Sequence, residues 1–397
     1  MRPRLPDLRL TGVRVLRDAG FCSRPLHIVG GRLAGGDDGC LDGVMPVDLS
    51  GHVVLPGIID LHGPAPESRT HRSGRAGAAV AGLAEVDRAA AAHGVTTCHL
   101  AQGWSWKGGP LGPEAAERAM QAVAVRQAIA LIDLRVKPCV EIRLLGQDAR
   151  LLAVMARHGS RYAVLQDSLD PSLALHRLQP MAFVRQAEHL GLSPEEMLAR
   201  MAGVHATSHA VPGNLRALAN GFDQAGVRFG SLGDPDAETR EYHAMIGARI
   251  TEFPASRSVA MAARSAGDAV LLSATEVLRC DDGLASVLAR DLLAAGADLA
   301  LASAGALPDL ALAVFRLADG GWCDLATAWA AISSNPARIL RLTDRGRISP
   351  GLRADLVVLH EGTRRIAAVI CDGRLVHARP ALRHRLLDLP APRIAAQ

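Results

Sequence analysis

Val53-Val54-Leu55-Pro56-Gly57-Ile58-Ile59-Asp60-Leu61-His62 decides how this chain is read. The run is a buried strand, a Pro-Gly kink, and a second strand that delivers a histidine at its end. A histidine so placed is a candidate metal ligand. A partner two residues on would share its face of the strand, because side chains alternate with period two. That position is Pro64, which offers a metal no donor atom.

Downstream of this run, strands alternate with helical stretches, the pattern of parallel βα units. Eight candidate strands end near His62, near His99, at Glu141 to Leu145, at Asp167, at Ser231-Leu232, at Glu252-Phe253-Pro254, at Ser273-Ala274 and at Ser303-Ala304. Eight such units predict a TIM-like (β/α)8 barrel with its site at the carboxyl ends of the strands. An open doubly wound sheet ranks lower, since no Gly-x-Gly-x-x-Gly follows a strand. The clearest helix start is Ser193-Pro194-Glu195-Glu196, a cap, a first-turn proline and the glutamate of a capping box.

Both ends have a different texture. Leu10–Leu16 and His27–Ile28 read as short strands among the turns Gly30-Gly31, Gly35-Gly36 and Asp42-Gly43. Asp355–His360, Ile366–Cys371 and Leu375–His377 do the same in the tail, with Asp372-Gly373 a hairpin turn. The expected organisation is therefore a small β-sandwich made from residues 1–55 and 345–397 around a barrel of residues 56–344.

The chain has 397 residues and 49% hydrophobic content, enough for one large α/β core and a smaller unit. Net charge is +4, and lysine occurs only at Lys107 and Lys137. The arginine excess suits a small phosphorylated ligand, although a coding bias explains it as well. No basic run is interleaved with aromatics, so nucleic acid is not an expected partner. No apolar run approaches the roughly 20 residues that cross a membrane. The cysteines, Cys22, Cys40, Cys98, Cys139, Cys280, Cys323 and Cys371, form no Cys-x-x-Cys and fit a reducing, cytoplasmic setting.

Two motifs together carry a family resemblance. Val54 through His62 resembles the opening motif of the amidohydrolase superfamily. Asn335-Pro336-Ala337-Arg338, followed by Gly346-Arg347-Ile348-Ser349-Pro350-Gly351-Leu352-Arg353-Ala354-Asp355-Leu356-Val357-Val358-Leu359, resembles its closing motif. Within it the chain is most similar to the diphosphatases of phosphonate breakdown, which remove pyrophosphate from a ribose alkylphosphonate triphosphate. The shorter echoes are Asp60-Leu61-His62 with Glu67, His93-Gly94-Val95-Thr96-Thr97, Cys139 to Glu141, Ile250-Thr251-Glu252-Phe253-Pro254, and Asp298 heading strand eight.

The resemblance implies a metal that activates water and an aspartate after strand eight that deprotonates it. Residue by residue, those groups are replaced. Pro64 stands for the second ligand, Lys137 for a histidine of strand three, and Ser168 for a histidine after strand four. Leu232 replaces a histidine after strand five, and Ala304 replaces the strand-eight aspartate.

Substitutes remain open. His62, Glu141 and Lys137 are the metal candidates, Lys137 as a carboxylated bridge. Glu141, Asp167 and Asp234 are the candidates for acid–base work. His99 and His243 could join them, and His205 with His209 would share a face four apart on one helix. The plain alternatives are a core histidine at His99, surface histidines at His205 and His209, and a Glu141 neutralised by Lys137 and Arg143 on its own strand face. Glu67, Arg69, His71, Arg72 and Arg75 are candidate ligand contacts after strand one, against a solvated loop. Trp104 and Trp106 are candidates to stack on a base or sugar, against packing under a loop.

Two functions follow. The first is a noncatalytic relative that binds a phosphorylated ligand, forms a homo-oligomer, or partners an active paralogue, with no cofactor expected. The second is an active hydrolase releasing pyrophosphate, with one divalent metal such as zinc or manganese on His62, Glu141 and either Asp167 or Asp234.

Overall fold

In the computed structural model, which describes residues 4–17, 20–35, 43–66, 78–297 and 299–387, eight parallel strands run in sequence order around one barrel. They are β1 (Ile58–Gly63), β2 (Val95–Trp104), β3 (Asp133–Glu141), β4 (Tyr162–Gln166), β5 (Arg228–Leu232), β6 (Ile250–Glu252), β7 (Ala269–Ser273) and β8 (Leu299–Ala302). Seven adjacent pairs form ladders. Inside, Ile59, Leu61, Ala101, Tyr162, Val164, Ile250, Leu271 and Ala300 make a compact core. Each large aliphatic side chain buried there contributes about 1.5–3 kcal/mol. A second, larger layer of apolar residues lies between the strands and the helices.

The seam between β8 and β1 closes without a ladder. Ser303 donates to the buried Asp60 carboxylate from both its backbone N–H (3.1 Å) and its hydroxyl (2.6 Å), and Ala304 N–H donates to the His62 carbonyl (3.0 Å). The turn at Ala331-Ile332 fills the rest: its carbonyls accept from Leu301 (2.9 Å) and Ile59 (2.8 Å). Asp60 of the opening motif is thus a latch that holds the first strand to the last.

The ends form two facing sheets. Leu8–Thr11, Leu26–Val29, Arg32–Ala34 and Met45–Asp48 make one. Arg14–Arg17, Gly20–Cys22 and His52–Pro56 join Leu356–His360, Ile366–Cys371 and Arg374–Ala378 in the other, so the second sheet draws on both termini. Leu8, Leu10, Ile28 and Val47 meet Val15, Val54, Leu356 and Ile370 between them. The expected strand Leu10–Leu16 is in fact two strands in different sheets, broken at Gly12, whose φ is +65°. The Asp372-Gly373 hairpin is present, both residues at positive φ as a tight type I′ turn needs.

Between β4 and β5 lie four helices, Leu169–Leu178, Pro180–His189, Pro194–Ala206 and Val211–Gln224. Phe183, Ala187, Leu190, Met197 and Met201 from this insertion pack on Trp106 as a separate apolar cluster. Helix Pro194–Ala206 has the capping box expected of it: Ser193 Oγ accepts from Glu196 N–H (3.1 Å) and Glu196 accepts from Ser193 N–H (2.7 Å). No helix among the described residues is long and apolar enough to cross a membrane.

Candidate functional site

The carboxyl ends of the strands open into a cavity of about 660 Å³ lined by His62, Pro64, Ser105, Lys107, Leu111, Cys139, Glu141, Gln166, Ser168, Leu232 and Ala304, with neighbours from the same loops. Its size suits a small molecule.

Beneath His62 lies a closed polar cluster. Glu252 ends β6, Lys137 sits within β3 and Tyr162 begins β4, and all three are buried. Lys137 Nζ lies 2.7 Å from each Glu252 oxygen and 2.8 Å from His62 Nδ1. His62 Nδ1 is 2.6 Å from Glu252 Oε2, and the Tyr162 hydroxyl donates to Glu252 Oε1. The ammonium also lies 5.1 Å from the centre of the Tyr162 ring. Burial alone would raise the Glu252 pKa, but the Lys137 ammonium and His62 outweigh it and hold the carboxyl at about 2. Burial, helped by the Lys137 charge, lowers the His62 pKa against the opposing pull of Glu252 and Asp60.

Glu141, at the end of β3, has a different surrounding. Its Oε1 accepts from Gln166 Nε2 (3.0 Å), and its Oε2 accepts from Trp106 Nε1 (3.2 Å) and Ser168 N–H (3.1 Å). Burial raises its pKa. The cation acting on it most is Lys107, whose own pKa is lowered by burial and partly restored by Glu141. Neither expected neutraliser forms a salt bridge with it, although Arg143 acts on it at longer range. Lys137 is bound to Glu252, and Arg143 pairs with Asp167 at 2.8 Å and with Ser208.

The remaining candidates are placed elsewhere. Asp167, held by Arg143, caps the helix that starts at Leu169. Asp234 accepts from Ser231, Arg240 and His243, all turned toward helix Ala237–Met245. His205 and His209 are exposed and lie in two separate helical segments instead of one helix. His99 lies mid-strand, because β2 runs on to Trp104; it is a core residue edge-on to Tyr162, and burial lowers its pKa to about 3. Trp104 packs in the layer between barrel and helices, under Arg150, and not in the cavity. Trp106 packs beneath the helical insertion while it donates to Glu141. Glu67, Arg69, His71, Arg72, Arg75 and Asp298 lie outside the described residues.

The donor set does not fit the metal that the resemblance implies. Among the described residues no three His, Cys, Asp or Glu side chains are grouped to hold a metal ion. Pro64, Leu232 and Ala304, which stand at ligand or base positions, line the cavity with carbon. Lys137 is surrounded by a carboxylate and an imidazole, the partners of an ammonium. Carboxylation would set a second negative charge against Glu252. Sequence reasoning named Glu252 only as a strand end and within one short family echo, and did not name Tyr162 at all. The available signal was a carboxylate closing a buried strand, a group rarely left unpaired.

Comparison with known proteins agrees with this architecture. Residues 184–376 match the Amidohydrolase family. Over 126 residues the chain is 36% identical to alpha-D-ribose 1-methylphosphonate 5-triphosphate diphosphatase of Escherichia coli (strain K12), a stretch covering 31% of this chain and 33% of that relative. The fold is similar to molinate hydrolase, with a TM-score of 0.63 and 14% identity over 100% of this chain and 99% of the other. It is also similar to N-acetyl-D-glucosamine-6-phosphate deacetylase from Mycobacterium smegmatis, with a TM-score of 0.61 and 18% identity over 93% and 100%. Residues 184–376 are thus similar to the Amidohydrolase family, and the whole chain has the barrel-and-sandwich fold of those enzymes.

Proposed function

We propose that this protein is a ligand-binding relative of the phosphonate-pathway diphosphatase, in which a lysine–glutamate–histidine cluster has taken the place of the family's metal and metal-dependent turnover is lost. One observation carries the reading: the Lys137 ammonium lies 2.7 Å from both Glu252 oxygens and 2.8 Å from His62 Nδ1, so a covalently attached cation already sits against the two best ligands, which also touch each other at 2.6 Å. A divalent ion drawn to the same acceptors would have to displace a buried ion pair. The partial match to the diphosphatase supports a phosphorylated ligand. The scattered cysteines support a cytoplasmic setting, and self-association or pairing with an active paralogue belongs to the same reading.

Elemental analysis of protein purified without chelators tests it, alongside pyrophosphate release from ribosyl and nucleoside triphosphates. The expected result is substoichiometric metal and no turnover. Stoichiometric zinc, manganese or iron that disappears in His62→Ala together with pyrophosphate release would overturn the reading and favour an active mononuclear hydrolase.

A further inference from the structure

Lys107 is a largely buried cation on the wall of the cavity. Its residue is 7% exposed, yet among the described residues its ammonium meets no acceptor at hydrogen-bond distance. The Trp106 ring, 5.5 Å away, is the contact it has. Its neighbour Glu141 is the opposite case, a carboxylate whose two oxygens already take three donors. Glu141 acts on the ammonium at longer range, so an acceptor from outside would supply the hydrogen bonds that it lacks among the described residues.

We propose that the barrel mouth binds a small organic acid, with Lys107 as the anchoring cation for its singly charged oxyanion head. The inference rests on the reading of the barrel as a metal-free binding site and departs from its phosphorylated ligand in favour of a singly charged oxyanion. Lys107 lines the cavity together with Ser105, Gln166 and Ser168, and Ser168 Oγ, buried beside Glu141, has no partner of good hydrogen-bond geometry among the described residues. The lysine's backbone is fixed in advance: its N–H donates to Ser105 Oγ (3.1 Å), and Arg200 donates to its carbonyl (2.6 Å). Such preorganisation lowers the ordering cost of binding. One ammonium beside a carboxylate suits one negative charge; a polyphosphate would crowd several charges against it. Leu111, Leu232, Ala101 and Ala304 leave an apolar wall for an alkyl or aryl body. Both a carboxylate and a phosphonate monoanion have the required head.

Isothermal titration calorimetry of the whole protein with butyrate, butylphosphonate and acetate tests this. The butyl probes bind saturably and more tightly than acetate, and the tighter of the two identifies the head group. Lys107→Met weakens both butyl probes at least tenfold, while its melting temperature stays level or rises because an unpaired buried charge has gone. Lys107→Gln, which keeps a polar head without the charge, shows the same loss. Unchanged affinity in both variants, or no saturable heat with either butyl probe, overturns the proposal. Metal content of the same sample separates the two readings. Failure to bind in metal-free protein sinks this inference alone; binding that vanishes with a chelator, in protein carrying stoichiometric metal, sinks the metal-free reading.

Discussion

The chain's only two lysines, Lys137 and Lys107, are both buried and both stand at the carboxyl end of the barrel, yet they are in opposite states. Lys137 has a carboxylate and an imidazole within 2.8 Å. Lys107 has an aromatic face 5.5 Å away and a neighbouring carboxylate that is already engaged. A buried charge with its counter-charge attached belongs to the fold. A buried charge whose neighbouring carboxylate is hydrogen-bonded to other donors is a position left open to a ligand. The floor of the cavity is therefore structural and the wall is poised to bind.

The sharpest way to break that contrast is to remove each lysine and measure unfolding in denaturant. Lys137→Met strands the Glu252 carboxylate in the barrel core and costs about 3–5 kcal/mol, the usual penalty for breaking a buried pair. Lys137→Met with Glu252→Gln removes both charges and recovers most of that loss. Lys107→Met leaves stability level or higher. Equal destabilisation by both single variants would show that Lys107 is structural too.

Acid unfolding probes the floor from beneath, because His99 lies edge-on to the same Tyr162 that donates to Glu252. Its pKa is lowered by burial from 6.5 to about 3. The unfolded state therefore binds the proton first. Stability from a neutral His99 is complete above pH 6.5 and is lost as pH falls toward 3. By pH 4.5 the loss is about 3 kcal/mol, at 1.36 kcal/mol per pH unit. His99→Phe keeps the ring contact and flattens the stability profile between pH 6.5 and 4.5. An unchanged slope in that variant would assign the acid sensitivity to other groups. Glu252, with its pKa held at about 2, loses its contribution lower down, between its unfolded value near 4.5 and 2.

How far this contrast was legible in sequence differs between fold and site. Seven of the eight strand ends could be read because each is an apolar run stopped by a polar or small residue, as at Leu272-Ser273 and Ala302-Ser303. Strand two was read as ending near His99, five residues short of Trp104. Gly103, inside it, is glycine because a Cβ there would come within 2.8 Å of the Leu111 carbonyl oxygen. The partners of Glu141 were misread along the strand. Period two does put Lys137 and Glu141 on one face, but four residues of strand span about 13 Å, so each pairs sideways with other strands and loops. The floor was out of reach altogether, since Glu252 meets partners 115 and 190 residues away in the chain.

The seam gives a smaller test. Ser303→Ala removes one donor from the buried Asp60 carboxylate but leaves the backbone donors of Ser303 (3.1 Å) and His62 (3.1 Å). Asp60, its pKa raised by burial, then takes a proton more easily. The expected loss is about 1–3 kcal/mol in thermal or denaturant unfolding. Because Ala304 is held to the His62 carbonyl independently, the butyl probes should bind Ser303→Ala as they bind the wild type.

The smallest effect belongs to the wall. Ser193 caps the helix that carries Arg200, and Arg200 holds the Lys107 carbonyl at 2.6 Å. Ser193→Ala removes one half of an exposed capping box and costs the helix about 1 kcal/mol. That is too little to disturb the barrel, whose strands and latch lie on other elements. It is enough to let the first turn of the insertion fray and to loosen the fixed backbone at Lys107. Global unfolding should therefore shift by no more than this amount, while hydrogen exchange quickens in residues 194–200 and the affinity for butyrate or butylphosphonate falls about two- to fivefold, the factor set by that energy. If exchange quickens there and binding is unchanged, the backbone clamp on Lys107 contributes nothing to the site, and its ammonium acts without preorganisation.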